Sequence, residues 1–420
     1  MVRVITYILV VLFGSTSWLS TNSVWMQLPF LTQQLPEGWS LPSYLSATVQ
    51  IACIGPLIYS VIHKCTQYSL PTAPLILILL IFCCLCTGLM ALFWWYTVFF
   101  YGQQRSIALI VLLFGMALVN STSNVLFMPY MSSCNMSYLT AYFVGMGLSA
   151  LFPSLISLLQ GNDECVYVNG SLTKEPVPPR FGVSEYNLIM LAWLITATVS
   201  FVLLHWSPLG KEGSSEQKPT DSRPELPVDE SCPLNVRFTL QERRTSKMES
   251  CRFGFLLFLT AIVNAQMNGI VPSIQSYAAL PYSQATYHFA LTLSNIASPL
   301  ICFLPLLIEP TRVWSLASLT FLSSALTGVI VVLAKMSPSP VLQYSIWGKV
   351  MLVVLSVGGS ALHSYLRTVF ATVLQKGAEN SESRLFWCGV FIQIGSFLGS
   401  FIMFPLVNIF HVFKSAPVCL

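Results

Sequence analysis

The amino-acid sequence predicts an all-α, polytopic membrane protein with eleven transmembrane helices. Hydrophobic residues make up 55% of the 420 residues and charged residues only 9%, whereas soluble domains carry about 25% charged residues. The mean hydropathy is +0.70, and apolar stretches of about 20 residues, the length that crosses a bilayer, recur along the chain. The predicted spans cover residues 4–30, 42–63, 72–99, 106–128, 138–160, 186–206, 252–275, 284–308, 313–334, 343–371 and 385–410.

The charged loops predict how the chain is oriented. The apolar stretch after Arg3 runs past Trp18 without a small-residue cleavage site, so we interpret it as a retained first span rather than a signal peptide. With a cytoplasmic N-terminus, fourteen Lys and Arg residues fall in cytoplasmic segments and six in outer segments, as the positive-inside rule requires. The C-terminus is then extracellular, and the glycosylation sequon at Asn169 lies outside.

Two halves of the chain share a pattern at a constant offset. The segments 18–45 and 261–288 both combine amides, aromatic residues and prolines at the outer end of an apolar stretch. Three residue pairs match at a separation of 243 positions, which predicts a duplication. The pairs are Pro29 with Pro272, Tyr44 with Tyr287, and Pro56 with Pro299.

The duplication also predicts the domain organisation. Residues 207–251 are rich in Lys, Glu, Ser and Pro and are expected to form a flexible cytoplasmic linker. The linker separates an N-terminal six-helix bundle, residues 1–206, from a C-terminal five-helix bundle, residues 252–420. Because both halves begin on the same side of the membrane, the 6+5 arrangement is a pair of pseudo-symmetric parallel repeats, which is typical of major-facilitator-like transporters.

Polar side chains inside the spans are the candidates for a binding site, since they are costly in a bilayer and usually face a cavity or another helix. They are mainly amides and aromatic rings, and the predicted spans contain no Asp or Glu. Such a cavity suits a neutral, flat solute with alternating hydrogen-bond donors and acceptors, and disfavours an ion, a phosphate or an amino acid. The candidate substrate-binding residues are Asn22, Trp25, Gln27, Tyr44, Asn120, Asn124, Asn264, Asn268, Gln275, Tyr287, His288 and Asn295.

Each candidate also has a purely structural interpretation. Asn and Gln in membrane helices form hydrogen bonds between helices worth about 0.6–2 kcal/mol, and His288 can be a structural histidine. Four glycines are interpreted as points of close helix packing rather than ligand contacts. The structural interpretation does not explain why amides, aromatic residues and prolines concentrate in spans one and seven at matching positions. The glycines are Gly145, Gly147, Gly395 and Gly399.

The sequence disfavours several other functions. It contains no nucleotide-binding, zinc-hydrolase or serine-hydrolase motif, so it predicts neither an enzyme nor an ATP-driven pump. The formal charge of +4 is too small and too dispersed for a nucleic-acid-binding surface, and the lipid bilayer is the expected surrounding. The twelve cysteines lie mostly in apolar stretches, where they pack as small hydrophobic residues. Neither a metal site nor a cofactor is predicted.

Longer motifs carry a family resemblance. They are LPEGWSLPSYL at residues 35–45, the segment 268–282, the pair Tyr287-His288, and MFPLVN at residues 403–408. Through these motifs the sequence resembles the riboflavin transporters of animals, solute carrier family 52, over almost every span. The resemblance implies an eleven-span plasma-membrane carrier that takes riboflavin, vitamin B2, into cells without Na⁺ dependence, cofactor or enzymatic step.

The resemblance also implies a substrate pocket, in which an aromatic side chain stacks on the flavin and amides pair with its pyrimidine edge. The family's first span usually reads W-V-E-L-P, whereas this chain has Gln27 in place of the acidic residue, so this side chain cannot carry a proton. Glu37 is expected to brace its loop as a hinge or helix cap. The residues assigned to the pocket are Asn22, Trp25, Gln27, Asn268, Gln275, Tyr287 and His288.

Alternating access, with the two bundles rocking about a central site, is the first hypothesis. A neutral, amide-lined cavity also suits another heterocycle, such as a nucleoside. A polytopic cell-surface receptor has a similar composition, although the span count, the parallel duplication and the lack of a D-R-Y-like motif disfavour it. Both alternatives stay open on the sequence alone.

Overall fold

The all-α class predicted from the sequence is confirmed by the computed structural model. The described part of the chain is almost entirely helical, apart from two short antiparallel hairpins, β1–β2 and β3–β4. The strands are β1 Val98–Phe100, β2 Gln103–Arg105, β3 Val166–Val168 and β4 Ser171–Thr173. The structure describes residues 2–56, 72–100, 102–132, 136–161, 166–168, 171–173, 179–206, 236–306, 312–375 and 381–415.

The N-terminal helices, α1–α7, precede residue 207. The first predicted span consists of two helices that meet at 54°. At the bend, the hydroxyls of Thr16 and Ser17 each donate to a carbonyl three residues earlier, at 2.7 Å, which supplies partners to carbonyls at the helix end. The helices are α1 Val2–Ser15, α2 Leu19–Gln34, α3 Leu41–Ala52, α4 Thr72–Phe93, α5 Ile107–Ser132, α6 Met136–Gln160 and α7 Val183–Trp206.

The C-terminal helices, α8–α13, follow residue 235. Helix α8 continues through a π-helical turn, Gln266–Ile270, directly into α9. Helix α10 begins after Ser283, whose Oγ accepts a hydrogen bond from the backbone N–H of Thr286 at 3.0 Å and so caps the helix. The helices are α8 Val236–Ala265, α9 Val271–Ala279, α10 Gln284–Ile301, α11 Val313–Lys335, α12 Ile346–Gln375 and α13 Ser381–Asn408.

The helices are long and apolar enough to make the chain a multi-pass membrane protein. Seven helical segments among the described residues meet that requirement, or eight when the bent pair α1–α2 counts as one span. The seven lie in α4, α6, α7, α8–α9, α11, α12 and α13. Helices α3, α5 and α10 lie in the three remaining predicted intervals.

Several predicted limits differ from the structure, two of them for an identifiable reason or with a consequence for the domains. The span predicted for residues 72–99 ends at Phe93, and the chain then turns into the β1–β2 hairpin. Trp94 holds this end of α4, since its indole N–H donates to Ser184 Oγ at 3.0 Å. Aromatic residues that belong at the membrane interface thus extended the apolar stretch in the sequence beyond the helix. Helix α8 already begins at Val236, within the segment predicted as linker.

Glycines allow the first helix of each half to lie directly against a later one. A Cβ atom on Gly145 of α6 would lie 2.2 Å from the Val11 carbonyl oxygen of α1. In α13, a Cβ on Gly395 would lie 2.1 Å from the Ala261 carbonyl oxygen of α8, and Gly399 is equally close to α8. The packing role predicted for these three glycines is confirmed, whereas a Cβ on Gly147 would make only an ordinary contact at 3.7 Å.

Candidate functional site between the two sets of helices

Several helix pairs join the N-terminal helices to the C-terminal helices, and one of them is α3 with α13. Three side-chain hydrogen bonds, 2.7 to 3.0 Å long, cross between them. All partners are uncharged hydroxyls or amides, so the contact buries no charge and pairs its polar groups. The pairs are Ser43 with Asn408, Ser46 with Ser400, and Gln50 with Gln393.

Another pair is α6 with α10. The Oγ of Ser157 lies 2.9 Å from Nε2 of His288, and the Ser157 carbonyl oxygen lies 3.2 Å from the same nitrogen. At the start of α10, the side-chain amide of Gln284 donates to the Pro29 carbonyl of α2. His288, a predicted site residue, therefore lies where the two sets of helices meet.

The predicted residues of span one bind mainly to α6. The Nδ2 of Asn22 donates to the Ser149 carbonyl at 3.1 Å. Gln27 is 1% exposed and forms a reciprocal amide pair with Gln160, with N···O distances of 2.7 and 3.3 Å. Trp25 is half-buried and packs against the apolar core. Both amides thus make the bonds between helices that the structural interpretation expects.

The predicted residues of span four lie on α5. Asn120 is fully buried, and its amide lies 2.9 and 2.7 Å from the hydroxyl oxygens of Ser20 and Thr21 in α2. This contact holds α5 against α2. The side chain of Asn124 lies outside the described residues.

The predicted residues of span seven differ in how fully their polar atoms are paired. Asn264 donates to the Thr260 carbonyl of its own helix at 2.8 Å, while its buried Oδ1 has no partner. Asn268 donates to Ser396 Oγ of α13 at 2.9 Å. Gln275 is 7% exposed, and the described residues offer it no hydrogen bond. Asn268 lies within the π-helical turn Gln266–Ile270, whereas Asn264 lies in α8 just before it, and the two side chains have no common partner in the part of the chain that the structure describes.

The π-helical turn brings α8–α9 against both α3 and α13. The carbonyl of Asn268 accepts a hydrogen bond from Ser46 Oγ of α3 at 3.1 Å. Gly269 is so close to α13 that a Cβ would lie 2.4 Å from the Ser400 nitrogen. Single π-turns occur often at functional sites, and this one lies at the contact between the two sets of helices.

The helix of span eight, α10, carries several polar atoms without partners, two of them on predicted residues. The hydroxyl of Tyr287, the Nδ1 of His288 and the hydroxyl of Thr292 are buried and unpaired within the described part of the chain. Asn295 donates to the Leu291 carbonyl of its own helix at 3.0 Å. A buried polar group without a partner costs about 1–3 kcal/mol, so these atoms are candidates for contact with a polar solute.

Tyr44 lies apart from these groups, at the start of α3. Its hydroxyl accepts a hydrogen bond from Arg105 Nη1 at 2.9 Å, and the guanidinium lies 5.1 Å from its ring centroid. The ring also meets Phe404 of α13 edge-on, with centroids 5.2 Å apart. Tyr44 therefore connects the β1–β2 hairpin to the C-terminal helices.

Some polar contacts in this region involve residues outside the predicted set. Gln160, the partner of Gln27, ends α6, and polar residues at helix ends are too common to stand out in a sequence. Gln266 Oε1 lies 3.1 Å from His363 Nε2 and 3.3 Å from Thr327 Oγ1, which joins α11 and α12 to the π-helical turn. Both Gln266 and His363 are polar residues inside predicted spans, and that is the signal that could have identified them.

Metal-binding side chains are not grouped in the part of the chain that the structure describes. No cluster of three or more His, Cys, Asp or Glu side chains occurs there. The groups available at the contact between the two sets of helices are amides, hydroxyls, carbonyls and one imidazole. They can bind a neutral solute by hydrogen bonds and by contact with the half-buried Trp25 ring.

Solved transporter structures share this fold. A D-xylose-proton symporter superposes with a TM-score of 0.59 at 9% identity, over 98% of this chain and 92% of that one. The nucleoside transporter NupG superposes with a TM-score of 0.55 at 11% identity, over 97% and 92%. At these identities the likeness shows the fold alone: this chain shares an all-helical fold with these solved membrane transporters.

Sequence comparison identifies the family. The chain is 48% identical to riboflavin transporter rft-1 of Caenorhabditis elegans, over 99% of this chain and 98% of that protein. It is 33% identical to solute carrier family 52, riboflavin transporter, member 3 of Homo sapiens, over 98% of both chains. Residues 2–415 match the family model for solute carrier family 52, riboflavin transporter. The chain therefore belongs to solute carrier family 52, the riboflavin transporters.

Proposed function

We propose that this chain takes up riboflavin across the plasma membrane. The observation that carries the proposal is its similarity, over nearly its whole length, to proteins named as riboflavin transporters. The polar groups between the two sets of helices agree with this substrate because they are uncharged amides, hydroxyls and carbonyls with one imidazole. Riboflavin presents a neutral ring with a uracil-like edge and a ribityl chain of hydroxyls, which match such groups.

In this proposal the substrate binds against α9 and α10, where polar groups lack partners. Gln275 pairs with the uracil-like edge, since its amide both donates and accepts. The Tyr287 hydroxyl and the His288 Nδ1 bind ribityl hydroxyls. Trp25 stacks on the flavin ring. The support is that each of these polar atoms is buried or nearly buried and unpaired among the described residues.

The other predicted residues support the site by holding its helices in place. The amides of this group, apart from Asn124, already form hydrogen bonds with neighbouring helices or within their own helix. The Tyr44 hydroxyl accepts a hydrogen bond from Arg105. We propose that they stabilise the helices and their packing rather than contact riboflavin. They are Asn22, Gln27, Tyr44, Asn120, Asn124, Asn264, Asn268 and Asn295.

We propose that transport proceeds by alternating access between an N-terminal bundle, residues 1–206, and a C-terminal bundle, residues 252–420. The proposal includes eleven spans as 6+5 parallel repeats, joined by the segment 207–251, whose last part, from Val236, is the start of α8. The support is that α3–α13 and α6–α10 are matching contacts between the halves, each made of hydrogen bonds that can be broken without exposing a charge.

The proposed orientation places the N-terminus in the cytoplasm and the C-terminus outside, with a glycan on Asn169. Its support is the distribution of Lys and Arg. We also propose that uptake is independent of Na⁺, because the predicted spans contain no carboxylate to bind the ion. Asn169 lies outside the described residues, so this part of the proposal rests on the sequence.

Uptake of labelled riboflavin into cells that express the chain tests the proposal. We expect uptake that persists when choline replaces Na⁺ and that flavin analogues compete away. The control is the same cells without the chain. Competition by nucleosides in place of flavins would assign the carrier to the alternative substrate class. Binding of riboflavin without accumulation inside the cells would favour the receptor alternative.

A further inference from the structure

The turn between α2 and α3 is anchored to α5 by the buried carboxylate of Glu37. Glu37 precedes the 3₁₀ turn Gly38–Ser40 and is 8% exposed. Its Oε1 accepts the backbone N–H of Ser106 at 2.7 Å, and its Oε2 accepts the Ser106 hydroxyl at 2.6 Å. Ser106 directly precedes α5, so the carboxylate also lies at the positive end of that helix.

The same turn contacts the C-terminal helices. The hydroxyl of Ser276 in α9 donates to the Trp39 carbonyl at 2.6 Å. The Trp39 ring meets Tyr277 edge-on, with centroids 6.0 Å apart, and Tyr277 in turn lies 5.7 Å from Phe413. The turn therefore links α5 of the N-terminal helices to α9 of the C-terminal helices.

The turn lies at the end of the molecule where the two sets of helices are joined. The Gln284–Pro29, Ser157–His288 and Asn408–Ser43 bonds all lie near helix ends. These are the C-terminal ends of α2, α6 and α13 and the N-terminal ends of α3 and α10. Ser46 and Gln50, further along α3, mark the deepest bonds between the two sets in the described part of the chain. This end is the outer face in the proposed orientation, so the structure is closed towards the outside.

We propose that Glu37 is the positioning residue of an outer gate, and that the Gly38–Ser40 turn is the gate itself. The proposal rests on the proposed transport function. The carboxylate fixes the turn to α5, and the turn, through Trp39, holds the outer ends of the two sets of helices together. Opening the gate requires the Trp39 contacts with Ser276 and Tyr277 to break while the Glu37 contact persists.

The backbone of the turn depends on its glycine. Gly38 has a φ of +56°, a left-handed conformation that residues with a Cβ rarely adopt. This conformation directs the Trp39 carbonyl towards Ser276, and the bonds of Glu37 on the other side of Gly38 keep the turn in register. A substitution of Glu37 that removes these bonds frees the turn and leaves the proposed substrate contacts unchanged.

Labelling of a buried cysteine tests the gate. Ser46→Cys places a thiol behind the turn, at a position 1% exposed, and a membrane-impermeant thiol reagent is added to intact cells. We expect Ser46→Cys alone to be labelled slowly. Adding Glu37→Ala should raise the labelling rate by about tenfold or more, because two hydrogen bonds to a charged group are lost. The twelve native cysteines give the background, measured without Ser46→Cys.

A conservative variant and a matched control sharpen the result. Glu37→Gln can still accept from the Ser106 N–H and donate to its hydroxyl, so we expect labelling between the two extremes. Glu185→Ala removes another carboxylate, in the first turn of α7, and should leave the labelling rate unchanged. Ser276→Ala removes the bond from the opposite side and should raise the rate, which gives a second route if Glu37→Ala fails to reach the cell surface.

Transport kinetics provide the second measurement. If the gate holds the outer side closed, Glu37→Ala raises the fraction of carriers open to the outside and lowers the apparent KM for riboflavin, whereas a general folding defect lowers the maximal rate alone. Unchanged labelling in both Glu37→Ala and Ser276→Ala would overturn the gate. Faster labelling in a chain that does not transport riboflavin would preserve the gate and refute the proposed function.

Discussion

Buried amides in this protein differ in how much of their hydrogen-bonding capacity is already used. Gln27 both donates to and accepts from Gln160, so its amide has little capacity left for a ligand. Gln275 has no partner among the described residues and is nevertheless largely buried. Because an unpaired buried amide is costly, the second kind is the better candidate for contact with a transported solute.

Substitution of Gln275 should separate binding from folding. We expect Gln275→Ala to raise the KM for riboflavin about tenfold, the effect of one or two hydrogen bonds. Surface abundance should be unchanged because no side-chain hydrogen bond within the described part of the chain is lost. Uptake kinetics together with surface biotinylation measure both quantities. An unchanged KM would remove Gln275 from the proposed site.

Substitution of Gln27, in contrast, should lower the stability of the protein. Gln27→Ala leaves the buried amide of Gln160 with only the Phe181 carbonyl as a partner, so we expect a loss of about 1–3 kcal/mol in stability. The measurement is the melting temperature of the purified protein in detergent. Gln34→Ala, at the exposed end of the same helix, is the matched control and should melt with the unchanged chain. If the Gln27→Ala variant had the same melting temperature as the unchanged chain, the structural role of the amide pair would be contradicted.

At the scale of helices, close packing is set by glycines that face a carbonyl. Gly145 brings α6 against α1, and Gly395 and Gly399 bring α13 against α8, at separations that leave no room for a Cβ. In each half, therefore, the first predicted span of that half makes this kind of contact with a later helix. Van der Waals contact between closely packed helices replaces the hydrophobic effect that is missing inside a bilayer.

Two glycines of α13 provide a direct comparison. A Cβ on Gly399 would lie 2.3 Å from the Ala265 carbonyl oxygen, whereas Gly389 has no neighbour within 4 Å. We expect Gly399→Ala to cost about 1–3 kcal/mol through overpacking and Gly389→Ala to have no such cost. Detergent melting curves of the two variants measure the difference. Equal melting temperatures would show that α13 can move away from α8 without loss.

Hydropathy was sufficient to predict the all-α class and the long apolar helices among the described residues, because a bilayer accepts only long apolar stretches with a satisfied backbone. The limits were less predictable: Trp94 and its neighbours count as apolar although they mark the end of α4. The partners of site residues were not predictable, since Gln160 and Ser157 meet Gln27 and His288 only in the fold. The π-helical turn that contains Asn268 was not predictable either, because hydropathy does not distinguish a π-turn from the α-helix around it.

At the scale of the whole molecule, α3–α13 and α6–α10 are the contacts that must change if the two bundles rock. Helix pairs within one bundle, such as α10 with α12, should keep their contacts throughout. The difference can be tested because both kinds of contact contain a pair of serines with the same separation. Ser46 and Ser400 lie across the two sets of helices with hydroxyl oxygens 2.8 Å apart, and Ser298 and Ser360 lie within the C-terminal helices, also 2.8 Å apart.

Cysteine pairs at these positions should therefore differ in their effect on transport. Ser46→Cys with Ser400→Cys is close enough to form a disulfide under oxidation, and we expect this crosslink to abolish riboflavin uptake and a reductant to restore it. Ser298→Cys with Ser360→Cys should crosslink without loss of uptake, since both residues move together. Uptake before oxidation, after oxidation and after reduction is the measurement. Continued uptake with the first pair fully crosslinked would show that α3 and α13 do not separate during transport, and rocking of the two bundles would then fail as the mechanism.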